Sequence, residues 1–72
     1  STFAPILKKG AEGYSVKVLQ FALKELGDYT DSVDASFGNN TVKAVKAFQK
    51  RCGIPQTGKA DKKTWEKILR GG

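Results

Sequence analysis

Apolar residues recur at helical spacing in three stretches of the chain, separated by two polar, turn-rich segments. Val16, Leu19, Leu23 and Leu26 fall on one face of a helix. Gly13 or Ser15 suits its start, and Gly27 its end, because glycine tolerates a left-handed backbone. Val18 and Phe21 lie off that face, so they either widen the buried stripe or form an exposed apolar patch. A second helix is predicted from about Asn39 or Asn40 to Cys52, closed by Gly53. Ala44, Val45, Phe48 and Cys52 share its inner face, with Lys43, Lys46, Lys50 and Arg51 outside. Asp61 is a good N-cap for a short third helix whose apolar side is Trp65, Ile68 and Leu69.

The segments 27–38 and 53–60 lack the alternation of a long strand, so the chain reads as all-α with at most short extended pieces. A repeat links the parts. Val16-x-x-Leu19-Gln20-x-x-Leu23 matches Val45-x-x-Phe48-Gln49-x-x-Cys52 at an interval of 29 positions. Asp34 to Thr41 likewise echoes Thr57 to Thr64. Two such units are too few for a solenoid but can form a compact three-helix bundle with pseudo-symmetric helix-loop repeats. The groove between the halves would suit a repetitive polymer.

Composition narrows the function classes. A length of 72 residues makes one domain, 1–72, with its core over about 6–70 and with 1–5 and 71–72 as linker or chain ends. So small an interior leaves few side chains for a deep pocket, so a shallow groove is expected. The sequence contains no His, which removes the usual general base, zinc ligand and nucleophile partner. Its lone Cys52 has no internal disulfide partner. Asp28, Asp31 and Asp34 recur every third residue, whereas EF-hand calcium loops place ligands two apart, so no metal site is expected. No pair of carboxylates is flanked by the apolar wall that glycosidase chemistry needs, so the domain reads as non-catalytic, with no cofactor. No apolar run is long enough to span a bilayer, and no membrane partner is expected. The net charge of +6 fits a polyanionic partner, though solubility alone accounts for it equally well.

One series of residues resembles a known family. It runs Leu7, Gly10-x-x-Gly13-x-x-Val16-x-x-Leu19-Gln20-x-x-Leu23 and Gly27-x-Tyr29. It resumes at Asp34-x-x-Phe37-Gly38-x-x-Thr41-x-x-Ala44-Val45-x-x-Phe48-Gln49. It closes on Gly53-Ile54 and Thr57-Gly58-x-x-Asp61-x-x-Thr64-Trp65-x-x-x-Leu69. The series resembles the three-helix peptidoglycan-binding domains found beside amidases, lysozyme-like enzymes and spore-cortex hydrolases, and it covers nearly the whole chain. The resemblance implies a monomeric accessory module that anchors a covalently tethered cell-wall hydrolase. Its partner would be peptidoglycan, through glycan, stem peptide or both, with anionic wall polymers as further partners. It also implies a secreted or wall-associated parent protein of bacterial or phage origin. One departure stands out: the family has Gly after the first-loop aspartate, where this chain has Ala35. If that site needs a positive φ, alanine costs about 1 kcal/mol. Arg51-Cys52-Gly53-Ile54-Pro55 also resembles the cysteine switch of matrix metalloproteinase propeptides, but there the switch follows the last helix. Cys52 is better read as a small buried hydrophobe.

The candidate ligand-binding residues are Tyr29, Asp34, Phe37, Asn39, Asn40, Lys43 and Trp65. Tyr29 stands in a polar loop with a hydroxyl free for water or ligand. Asn39 and Asn40 flank the exposed amides of a helix start, which suit carboxylates as well as plain N-capping. Trp65 and Phe37 offer aromatic faces, although core packing accounts for both. Lys43, with Lys46 and Lys50, forms a basic stripe that a solvated helix face also explains. Gln20 and Gln49 are expected to satisfy loop backbone groups, and Thr41 and Thr64 to act in capping. Two other classes fit the same sequence. One is a protein-interaction or propeptide-like regulatory domain of this fold. The other is a small basic nucleic-acid-binding domain, which the long 53–60 connection disfavours.

Overall fold

The computed structural model describes residues 6–71, so the expectation that 1–5 and 72 are linker or chain ends lies outside the described residues. Among the described residues three helices follow in order: α1 (Tyr14–Glu25), α2 (Asn39–Cys52) and α3 (Lys62–Leu69). The all-α prediction holds, and the helix boundaries fall where the apolar periodicity places them.

Both long helices end in the same way. Past α1, the Gly27 amide donates to Lys24 and the Asp28 amide to the Leu23 carbonyl. Past α2, Gly53 donates to Lys50 and Ile54 to Gln49. These are Schellman closures, with Gly27 at φ 88° and Gly53 at φ 74°, a region where a side chain would be strained. Each turn throws the chain back across the bundle. The first carries Tyr29 into the core, where it is 4% exposed, and its amide also donates to Leu23.

The segment before α1 ties the two loops together. Leu7 and Ala60 exchange backbone hydrogen bonds at 3.2 and 2.8 Å. Gly10 donates to Phe37, Phe37 to Ala11, and Gly13 to Ala35. Among the described residues isolated antiparallel bridges result, between Leu7 and Ala60 and between Glu12 and Ser36. They are the short extended pieces expected.

Val16, Leu19, Leu23, Val45 and Phe48 are fully buried at the centre of the core. Phe37, Trp65 and Ile68 pack around them. Cys52 is only partly buried, less than its repeat partner Leu23. Leu69 departs from expectation: it is 66% exposed, because α3 ends there and Trp65 with Ile68 already fills the inner face. On α1, Tyr14, Val18 and Phe21 are exposed, so the residues off the inner face form a surface stripe rather than a wider core.

Candidate functional site

Gln20 and Gln49 are fully buried, and each organises a loop. The Gln20 Nε2 donates to Asp34 Oδ1, the Ser36 carbonyl and Thr41 Oγ1, at 2.9–3.0 Å. Its Oε1 accepts from the amides of Asp34 and Ala35. Gln49 repeats the arrangement on Thr57, Lys59 and Thr64, with the Gly58 amide on its Oε1. The two threonines are therefore buried partners of the amides as well as residues of the first helical turn. Among the described residues no buried side-chain nitrogen or oxygen lacks a partner. Ala35 sits at φ 64° and its counterpart Gly58 at φ 75°. The first loop thus places Ala35, the departure noted in the sequence, in a left-handed conformation.

The repeat interval is 29 in the helices but 23 in the loops, so the first half is longer than the second. The surplus chain around Tyr29 and Asp31 walls two adjoining hollows against α2. One, of about 410 Å³, lies between residues 28–31 and Asn40, Lys43, Ala44 and Ala47. The other, of about 310 Å³, runs from Tyr29 and Asp31 past Asp34 and Ser36 to the start of α2. Tyr29, Asp31 and Asn40 border both, and Asn40 Nδ2 donates to Asp31 Oδ2 across that shared wall.

The charge of this region is set by its carboxylates. The Asn40 amide and then the Ser32 N–H hold Asp31 below its ordinary value. The Gln20 amide and then the Ser36 N–H do the same for Asp34. Both are ionised at neutral pH. Asp28 pairs with Arg51 at 2.6 Å, and that guanidinium lies 5.3 Å from the centroid of the Phe48 ring. Burial pushes the Tyr29 hydroxyl up, with the Asp34 and Asp31 charges adding and Thr41 opposing. The hollows therefore offer mainly acceptors, with Lys43 as the cation on their border. A ligand presenting hydroxyls or amide N–H groups fits better than the carboxylate expected at Asn39 and Asn40, because Asp31 and Asp34 would repel it.

Of the residues singled out in the sequence, Tyr29, Asp34, Asn39, Asn40 and Lys43 line these hollows. Phe37 and Trp65 do not: at 2% and 5% exposed they belong to the core beneath. Tyr29 lines both hollows while 4% exposed, and its hydroxyl donates to the Ser32 carbonyl. Asp28 and Asp31, weighed in the sequence only as metal ligands, are walls of the site. No periodicity links Asp31 to Asn40, nine residues away on another element, so their contact had no sequence signal.

Comparison with known proteins decides the family. The profile of the peptidoglycan binding domain matches residues 12–68. The chain belongs to the peptidoglycan-binding domain family. A spore cortex-lytic enzyme of Bacillus cereus is 38% identical to this peptidoglycan-binding domain over 65 residues, 90% of the chain and 25% of the enzyme. An N-acetylmuramoyl-L-alanine amidase, CwlL of Bacillus licheniformis, is 47% identical over 60 residues, 74% of the chain and 15% of the amidase. The crystal structure of the SleB N-terminal domain superposes with a TM-score of 0.91 at 36% identity, covering 97% of this chain and 96% of that one. The domain spans a quarter or less of the curated relatives it matches. Their catalytic names belong to proteins much longer than this binding domain.

Proposed function

We propose that the hollows bordered by Tyr29, Asp31 and Asn40, with Asp34, Asn39 and Lys43 around them, dock peptidoglycan and hold a covalently tethered hydrolase at the bacterial wall. The observation that carries this is the acceptor-rich pair of hollows on a domain of the peptidoglycan-binding family. Ionised Asp31 and Asp34 suit the hydroxyls and amide N–H groups of a glycan bearing short peptides. Support for the tether comes from the relatives, an amidase and a cortex-lytic enzyme several times the length of this chain. The parent protein would act at the wall, outside the cell membrane, in a bacterium or a phage lysing one. The domain would act as a monomer.

A shallow site binds weakly, because little surface leaves water and each immobilised group costs entropy. Weak binding suffices for a tether, which converts substrate encounter into an intramolecular event and adds orders of magnitude in avidity. The test is co-sedimentation of the 72-residue chain with peptidoglycan stripped of anionic polymers, at low and near-physiological salt. Retention at both salts supports the reading. Loss at the higher salt would assign the binding to the net charge of +6 and overturn it.

A further inference from the structure

The internal repeat generates a second hollow of opposite character. Moving along the chain by the 23-residue loop interval carries Asp34 to Thr57 and Gly38 to Asp61. The same step carries Asn39 to Lys62 and Asn40 to Lys63. All four destinations line one hollow of about 340 Å³, completed by Ile6, Ile54 and Pro55. It is thus the pseudo-symmetric counterpart of the site at the start of α2, set at the start of α3.

At three of the four matched positions the charge shifts toward positive, and at the fourth Asp61 stands in place of Gly38. The surplus segment that brings the Asp31 carboxylate to the first site is missing here, and Ile54 and Pro55 line the hollow instead. Where the first has ionised Asp34, this one has Thr57, whose hydroxyl already serves the Gln49 amide and the Lys59 N–H. Two neutral asparagines become two lysines. The Asp61 carboxylate is turned to Thr64, accepting from its amide at 3.0 Å and its hydroxyl at 2.8 Å. Among the described residues neither Lys62 nor Lys63 forms an ion pair. Ile6 stands 68% exposed at the edge. Exposed cations beside apolar side chains complement a ligand that is anionic at one end and aliphatic at the other.

We infer that this hollow is a second ligand site, which takes the free-carboxylate end of a short peptide with small aliphatic side chains. Lys62 and Lys63 carry the carboxylate, and Ile6, Ile54 and Pro55 cover the methyl groups. The Asp61 carboxylate already caps the amides that open α3, so the two ammonium charges draw the ligand's carboxylate and outweigh that single negative charge. The inference rests on the wall-binding reading only for the source of that peptide, the stem peptides of the polymer. A single domain then meets hydroxyl and amide donors with one half and carboxylates with the other.

The experiment is a titration of the ¹⁵N-labelled chain with N-acetyl-D-alanyl-D-alanine and with its C-terminal carboxamide, followed by amide chemical shifts. Saturable shifts at Ile54, Thr57, Lys62 and Lys63 are expected, with the carboxamide about fivefold weaker or more, the scale of one exposed charge contact. Lys62→Gln with Lys63→Gln, exposed changes that leave the core untouched, should weaken the acid by a similar factor. Equal binding of acid and carboxamide, shifts confined to residues 28–41, or no saturation at tens of millimolar would overturn the inference. Wall retention without these shifts sinks this site and spares the wall-binding reading. Shifts without wall retention do the reverse.

Discussion

Gln20 and Gln49 hold equivalent places in the two halves, each amide nitrogen donating to a threonine hydroxyl in the next helix, at 3.0 Å to Thr41 and 2.9 Å to Thr64. Each side chain is buried and pins a loop against its own helix. The halves differ in the remaining partner: Gln20 also meets the carboxylate of Asp34, and Gln49 the hydroxyl of Thr57. That difference separates what otherwise similar substitutions should do.

Gln20→Glu and Gln49→Glu each replace a donor with an acceptor inside the core. Gln49→Glu should cost about 2–3 kcal/mol, the scale of unsatisfied buried groups. Gln20→Glu should cost at least about 1 kcal/mol more, because the new carboxylate faces Asp34. Urea unfolding at neutral pH measures both, and the gap between them should narrow in acid as the carboxylates protonate. Equal costs at neutral pH would mean that Asp34 does not couple to residue 20.

Ala35 and Gly58 occupy matched left-handed positions, at φ 64° and 75°. Ala35→Gly should stabilise the domain by about 1 kcal/mol by relieving the backbone strain. Gly58→Ala should destabilise it by about 1–2 kcal/mol. Its methyl group would lie 3.1 Å from Lys46 Cε, which can swing away, and 3.2 Å from Val42 Cγ1, which is held in the helix. Thermal midpoints moving in opposite directions are the expected signature.

Acid should loosen the first loop before the second. Asp31 and Asp34 are held below their ordinary values in the folded state, by Asn40 and Gln20 above all. A depressed folded value stabilises fully above the unfolded carboxylate value, about 4, and the contribution is lost as pH falls through the folded value. The second loop uses Thr57 in place of Asp34 and does not titrate there. Protection of the Ser32 and Ser36 amides from hydrogen exchange, measured against the unstructured rate at each pH, should therefore fall below about pH 4 before that of Lys59. Simultaneous loss of protection in both loops would contradict this.

Much of the fold was legible in the sequence because it depends on local signals. The spacing of Val16, Leu19 and Leu23, the stops at Gly27 and Gly53 and the cap at Asp61 act within a turn or two of themselves. The repeated Gln20 and Gln49 were readable because buried amides must find partners. The site was legible only in part, since it depends on contacts distant in sequence. Whether Tyr29 faced water or core was decided by the turn at Gly27, which a polar loop composition does not reveal. Asp31 became a site wall by meeting Asn40 on another element. Leu69 was misplaced because a period extended by one residue ignores where the helix ends.

The most direct test of the central claim compares the native chain with Asp31→Ala/Asn40→Ala in sedimentation with stripped peptidoglycan at near-physiological salt. Asn40→Ala alone is the milder companion, and near-UV circular dichroism verifies that each variant keeps its packed core. The expected result is a folded double variant whose wall affinity falls about tenfold, the scale of one or two lost polar contacts. A folded double variant that sediments with the wall as fully as the native chain would contradict the account and move the binding surface elsewhere on the domain.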